Sequence, residues 1–183
     1  QKMYEEQVGW AKEAGVDFIV AETINWTEEM KIALKAIKDA GMIAVTNFSI
    51  KKGDKTREGH TPGDACKIME DLGADVVGLN CYRGPAMTMK LLPEIREAVS
   101  CHVAALPVPY RTTEQRPGFL NQVDEGDKRE RKGKMFLDSA VEYQKFLDKI
   151  SSVLLKPSGI NNLLLIRIQF AAFSSPNGNS IKL

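Results

Sequence analysis

At 183 residues, 43% of them hydrophobic, the chain has the length and apolar content of one globular domain that buries a core. Charged residues make up 27% and the net charge is +1, so no global field draws it to nucleic acid, an anionic membrane or an acidic partner. The longest apolar run, Leu163 to Phe173, is broken by Arg167 and Gln169 and is too short to span a bilayer.

The first predicted element is a helix over residues 2–14 that stops at Gly15 and leads into a strand, Asp17 to Glu22. Its charged start is no secretory signal. Gln1 in place of Met leads to the expectation that the chain starts inside a longer polypeptide. A second helix follows over residues 27–40. Met30, Ala33, Leu34 and Ile37 recur at i, i+3, i+4 and i+7 and make one apolar face. Glu28 and Glu29 lie in its first turn, Lys38 lies near its end, and Gly41 stops it. A strand over Met42 to Ile50 comes next. Thr61-Pro62-Gly63-Asp64 then reads as a capping-box-like start with proline at the first helical position. Ala65, Ile68, Met69 and Leu72 give this third helix its apolar face, and Gly73 ends it before a strand over residues 75–80. A fourth helix, over residues 85–99 and adjusted at Pro93, leads into a strand from His102 to Val108.

The glycine junctions Gly15, Gly41 and Gly73 have the spacing of one βα unit, and AGVDFIVAE resembles LGADVVGLN, as a repeated unit would. The strands are near-continuous apolar runs, so both of their faces should be covered, as in a parallel sheet. These features predict an α/β fold: either a slice of a (β/α)8 barrel or a doubly wound sheet. No GxGxxG follows a strand, which weakens a nucleotide-binding assignment. Beyond residue 110 the rhythm stops. Asp124 to Lys134 reads as a solvated charged loop. A helix returns over residues 136–150, and the tail from Ser151 fits no βα unit. We therefore divide the chain into a domain over residues 1–150 and an atypical tail over residues 151–183, which reads as read-through of non-coding sequence or an alternative terminal exon.

Cys66, Cys81 and Cys101 form an odd set without CxxC spacing, as expected of free thiols in a reducing, cytoplasmic compartment. In βα folds chemistry collects at the carboxyl ends of strands. These ends carry Glu22-Thr23, Asn47-Phe48-Ser49, Asn80-Cys81-Tyr82 and Pro107 to Tyr110. Glu22 should be partly buried. It either receives a substrate ammonium or pairs with a lysine or backbone amides. Cys81 is an inert thiol, a nucleophile or a zinc ligand. A nucleophile needs a base, yet His102 opens its strand at the wrong end and His60 sits in a helix-entry motif. Cys66, within a helix, and Cys101, before a strand, should not reach Cys81.

GVDFIVAET (Gly15 to Thr23), GHTPGDA (Gly59 to Ala65), GADVVGLNC (Gly73 to Cys81) and ALPVPYRT (Ala105 to Thr112) occur in this order and spacing. Together they resemble the homocysteine-binding domain of the betaine–homocysteine and related homocysteine S-methyltransferases. The resemblance runs through residue 120 and continues weakly to residue 146. It implies a partial (β/α)8 TIM barrel in which the present strands are the fourth to seventh. It also implies that Cys81 is one of three thiolates holding zinc and that Glu22 holds the amino group of homocysteine. Thr23 and Asn80 become substrate-binding candidates with it. The implied reaction moves a methyl group from betaine or a methylsulfonium such as S-methylmethionine to homocysteine held as its zinc thiolate, giving methionine. ALPVPYRT leans toward the betaine branch.

The departures are specific. The family's remaining zinc ligands lie in a Gly-Gly-Cys-Cys-Gly run, and no two cysteines are adjacent in this chain. The first three strands are absent. One thiolate cannot hold catalytic zinc, so the chain alone is expected neither to retain zinc tightly nor to turn over homocysteine. Raw sheet edges predict a marginal fold that self-associates. The rival expectations are a non-catalytic product acting as an interaction protein and an unrelated small doubly wound α/β binding protein.

Overall fold

The structure, a computed structural model, describes residues 1–108, 110 and 112–118. The expected helix over 136–150, the charged loop over Asp124 to Lys134 and the tail over 151–183 lie outside the described residues.

Four parallel strands, β1 (Phe18–Ile24), β2 (Ile43–Phe48), β3 (Val76–Asn80) and β4 (His102–Leu106), form one sheet in the order β1-β2-β3-β4. Helices α1 (Lys2–Glu13), α2 (Thr27–Asp39), α3 (Pro62–Asp71), α4 (Pro85–Met89) and α5 (Leu92–Ala98) alternate with them. The strand order never reverses, as it would at the switch point of a doubly wound sheet. With right-handed crossovers, this order puts the helices on one face. Contacts of α1 with α2, α2 with α3 and α3 with α5 form that single layer. The fold is thus α/β with a singly wound, four-stranded parallel sheet, which among the described residues is open at both edges.

Helix α2 buries Met30, Ala33, Leu34 and Ile37, all at 1% exposure or less, on the face its spacing predicted. They pack with Ala21, Ile24, Ala44, Phe48, Val77, Leu79, Val103 and Ala105 from the helix-facing side of the sheet. Each large side chain so buried stabilises the fold by about 1.5–3 kcal/mol. Helix α3 departs from its pattern at one end: Leu72 caps the helix and is 52% exposed, while Cys66 is fully buried in its place. The expected helix over 85–99 is two helices, because Pro93 sits in the first turn of a new one, α5.

Local signals explain the boundaries. Gly15, Gly41 and Gly73 have φ of +75°, +73° and +94°, the left-handed turn that ends a helix and that glycine adopts without strain. Thr61 Oγ1 accepts the Asp64 N–H at 3.2 Å, as the capping pattern anticipated. Helix α2 has no local cap. The N–H groups of Thr27 and Glu28 instead donate to the Glu58 carboxylate, at 2.9 and 3.1 Å, from a loop thirty residues away.

Candidate functional site

The face of the sheet away from the helices carries a different set of residues. Strand alternation puts Val45 and Asn47 opposite Ala44, Thr46 and Phe48. Register then aligns Glu22, Asn47, Gly78 and Ala104 in one row across this inner face. The row lies near the carboxyl ends of the strands, where βα folds place their chemistry.

Thr23 is bulged out of β1: Glu22 pairs with Asn47 and Ile24 with Phe48, so Thr23 has no partner on β2. Its φ is +66°, a strained value for a β-branched residue. The bulge frees the Thr23 N–H, which donates to Asn80 Oδ1 at 2.9 Å, while Asn80 Nδ2 donates to Thr23 Oγ1 at 2.7 Å. Asn80 is buried at the end of β3. The paired bonds therefore bridge the ends of β1 and β3 across the end of β2. Glu22 precedes one foot of this bridge and Cys81 follows the other.

Glu22 itself is exposed, contrary to the expected partial burial. The reason is its strand: β1 is an edge of the sheet, and among the described residues no strand stands on its outer side. Cys81 is half-buried with φ +56°, its N–H donating to the Leu106 carbonyl at 2.9 Å. Three non-glycine residues of this rim, Thr23, Cys81 and Tyr82, thus hold left-handed backbones. Such strain persists where surrounding contacts over-determine it, and it clusters at functional sites.

The loop after β3 is pinned by a residue that sequence reasoning passed over. Arg83 is 4% exposed, donates to the Lys51 carbonyl, pairs with Asp54, and lies 5.8 Å from the centre of the Tyr82 ring. Nothing in its sequence neighbourhood marks it, because its partners come from the loop after β2.

Cys66 and Cys101 lie elsewhere, as expected. Cys66 is buried in α3, and burial pushes its thiol far up. Cys101 precedes β4 at the amino end of the sheet. Burial first, and then the Glu70 carboxylate, push its thiol up to about 12. Among the described residues no group of three His, Cys, Asp or Glu side chains is placed to hold a metal ion. Cys81 alone does not fit a catalytic zinc centre, which takes three protein ligands. No helix among the described residues is long and apolar enough to cross a membrane.

The sequence model of the homocysteine S-methyltransferase family matches residues 1–141. The betaine–homocysteine S-methyltransferase 1 of Sus scrofa is 30% identical over 128 residues, covering 66% of this chain and 45% of that protein. The S-methylmethionine–homocysteine S-methyltransferase of Rattus norvegicus is 33% identical over 128 residues, with 66% of this chain and 35% of that protein covered. The chain therefore spans less than half the length of these curated relatives. Among solved structures, the carboxyl transferase domain of Rhizobium etli pyruvate carboxylase is similar with a TM-score of 0.45 and 14% identity, over 85% of this chain and 33% of that one. At that score the likeness carries no argument for a closed barrel.

Proposed function

The chain belongs to the homocysteine S-methyltransferase family, and from that premise we propose that it contributes to the transfer of a methyl group onto the thiol of homocysteine, giving methionine. The observation that carries this is the Thr23–Asn80 bridge, which fixes Glu22 and Cys81 on one rim at the carboxyl ends of β1 and β3.

In this reading Glu22 accepts hydrogen bonds from the α-ammonium of homocysteine. Its exposure leaves it open to the incoming substrate. Thr23 and Asn80 hold the two strand ends at a fixed separation, so that the amino-acid end and the thiol end of one small substrate fall on Glu22 and Cys81 together. The thiolate sulfur attacks the methyl carbon of a cationic donor, betaine or S-methylmethionine. The S–C bond forms as the donor's N–C or S–C bond breaks, and the bond's electron pair leaves with the neutral amine or thioether. Zinc, where bound, would keep the substrate sulfur as thiolate near neutral pH, and Cys81 is the ligand this chain would offer. One thiolate is too few, so the chain alone neither retains zinc tightly nor turns over homocysteine. We place the reaction in the cytoplasm, in keeping with three free thiols.

Self-association is part of the same proposal. Beside β1, an edge of the sheet among the described residues, lies an open groove whose lining mixes apolar Val8, Ile19, Ile24 and Ile37 with polar Gln7 and Glu22. An edge left without a neighbouring strand among the described residues favours pairing with further chain. The measurement that tests the proposal is zinc content together with methyl transfer from each donor, on the 183-residue chain and on the complete gene product that carries it. Methyl transfer by the complete product and none by the chain supports it. Stoichiometric zinc on the chain refutes the assignment of Cys81 as an isolated ligand, and absence of transfer from both proteins refutes the function.

A further inference from the structure

We propose that Asn47 is a substrate-positioning residue, whose carboxamide holds the α-carboxylate of the amino acid bound beside Glu22. The inference rests on the assignment of homocysteine to this rim. Asn47 is 0% exposed, and neither its Oδ1 nor its Nδ2 has a hydrogen-bond partner. Buried carboxamides are almost always satisfied, so an orphan of this kind calls for a group that completes it.

Its place narrows what that group is. Asn47 stands between Glu22 and Gly78 in the row across the inner face. Room for its side chain comes from Gly78: a Cβ there would lie 2.9 Å from Asn47 Oδ1 and 1.9 Å from the Ala104 carbonyl oxygen. The Thr23–Asn80 bridge crosses the sheet one level nearer the rim. Asn47 is also the register partner of Glu22, so the two residues are neighbours on adjacent strands of this row. An α-amino acid presents its own carboxylate within a few ångströms of its ammonium, and Glu22 alone would repel it. A neutral donor at the neighbouring position removes the conflict. Nδ2 donates to the substrate carboxylate, and Oδ1 accepts from the ammonium shared with Glu22. The ligand class is a zwitterionic amino acid with a short thiol side chain.

The test is calorimetric titration of the complete gene product, wild type, Asn47→Ala and Asn47→Asp, with L-homocysteine and with 3-aminopropane-1-thiol, which keeps the thiol and ammonium but lacks the carboxylate. Asn47→Ala should weaken L-homocysteine roughly 10- to 100-fold and the amine thiol by a several-fold smaller factor. Asn47→Asp, nearly the same shape, should weaken L-homocysteine at least as much yet bind the amine thiol as tightly as wild type or more tightly. That split in sign is one that a purely structural role does not produce. Equal shifts for both ligands, or no shift for either, overturn the proposal while leaving the site itself standing. A wild-type protein that does not bind L-homocysteine overturns the site assignment and this inference with it.

Discussion

Substitution of Gly78 by alanine tests the architecture of the inner face at its tightest point. A Cβ at Gly78 would lie 1.9 Å from the Ala104 carbonyl oxygen and 2.7 Å from its carbon. Carbon and oxygen in ordinary contact keep about 3.3 Å or more, so the clash demands a shift of more than about 1 Å. The obstructing atoms are backbone of the neighbouring strand, paired with Gly78 in the ladder, and cannot rotate away. Strand β4 must move off β3, which weakens local ladder bonds worth about 1 kcal/mol each and adds an overpacking cost of about 1–3 kcal/mol. The expected loss is about 3–5 kcal/mol, a large share of the roughly 5–15 kcal/mol that holds a domain folded. Urea unfolding followed by circular dichroism reads it as a fall in midpoint at unchanged slope. Gly9→Ala is the matched control. This glycine is inside α1 without positive φ, and its added Cβ meets nothing within 4 Å. That exchange should therefore stabilise by about 0.5–1 kcal/mol. A Gly78→Ala protein that unfolds at the wild-type midpoint would refute the close approach of β3 and β4.

Thr61→Ala should cost about 1 kcal/mol of stability in the same assay through loss of the α3 cap. Asn80→Ala removes both bonds of the bridge and strands the Thr23 N–H; urea melts should show about 1–3 kcal/mol lost, and a wild-type melt would mean the bridge carries no load. Burial pushes the Glu58 carboxyl up, but the bonds from Thr27 and Glu28 outweigh it and bring the group from its ordinary 4.5 down to about 2. A depressed carboxyl stabilises fully above its unfolded value and loses that contribution as pH falls through the folded one. The acid limb between about pH 4.5 and 2 should therefore flatten in Glu58→Gln, and an unchanged limb would remove Glu58 as the cap of α2. Titration with a thiol reagent should modify Cys81 quickly in the native protein, while Cys101 and above all Cys66 wait for unfolding; peptide mapping that finds Cys66 modified first would contradict its burial.

The elements were legible where the signal is local. Helix faces follow from side chains three and four apart, stops from glycines at left-handed turns, and the α3 start from a threonine and an acid three residues apart. What escaped depends on chain far away in sequence. Glu22 looked partly buried because it follows five strand residues, but among the described residues its strand is an edge. The acids in the first turn of α2 were visible in the sequence, but its cap, Glu58, comes from the next loop. Arg83 and Asn47 carry no motif, and their significance comes from burial and from which groups face them. For the rim, register alone gathers Glu22, Thr23, Asn80 and Cys81, while the bonds that tie Thr23 to Asn80 follow from a bulge that no periodicity announces.

The order β1-β2-β3-β4 repeats the order of synthesis. Each strand finds its neighbour one helix later, so a chain emerging from a ribosome can dock every new unit onto the one before it, without waiting for a distant segment. Growth proceeds from one margin only, and whatever length has been made is already a laminated half-product with its forward border unpaired. The lifetime of that border during translation, more than the strength of the finished core, would then set how much of the newborn protein is lost to sticking.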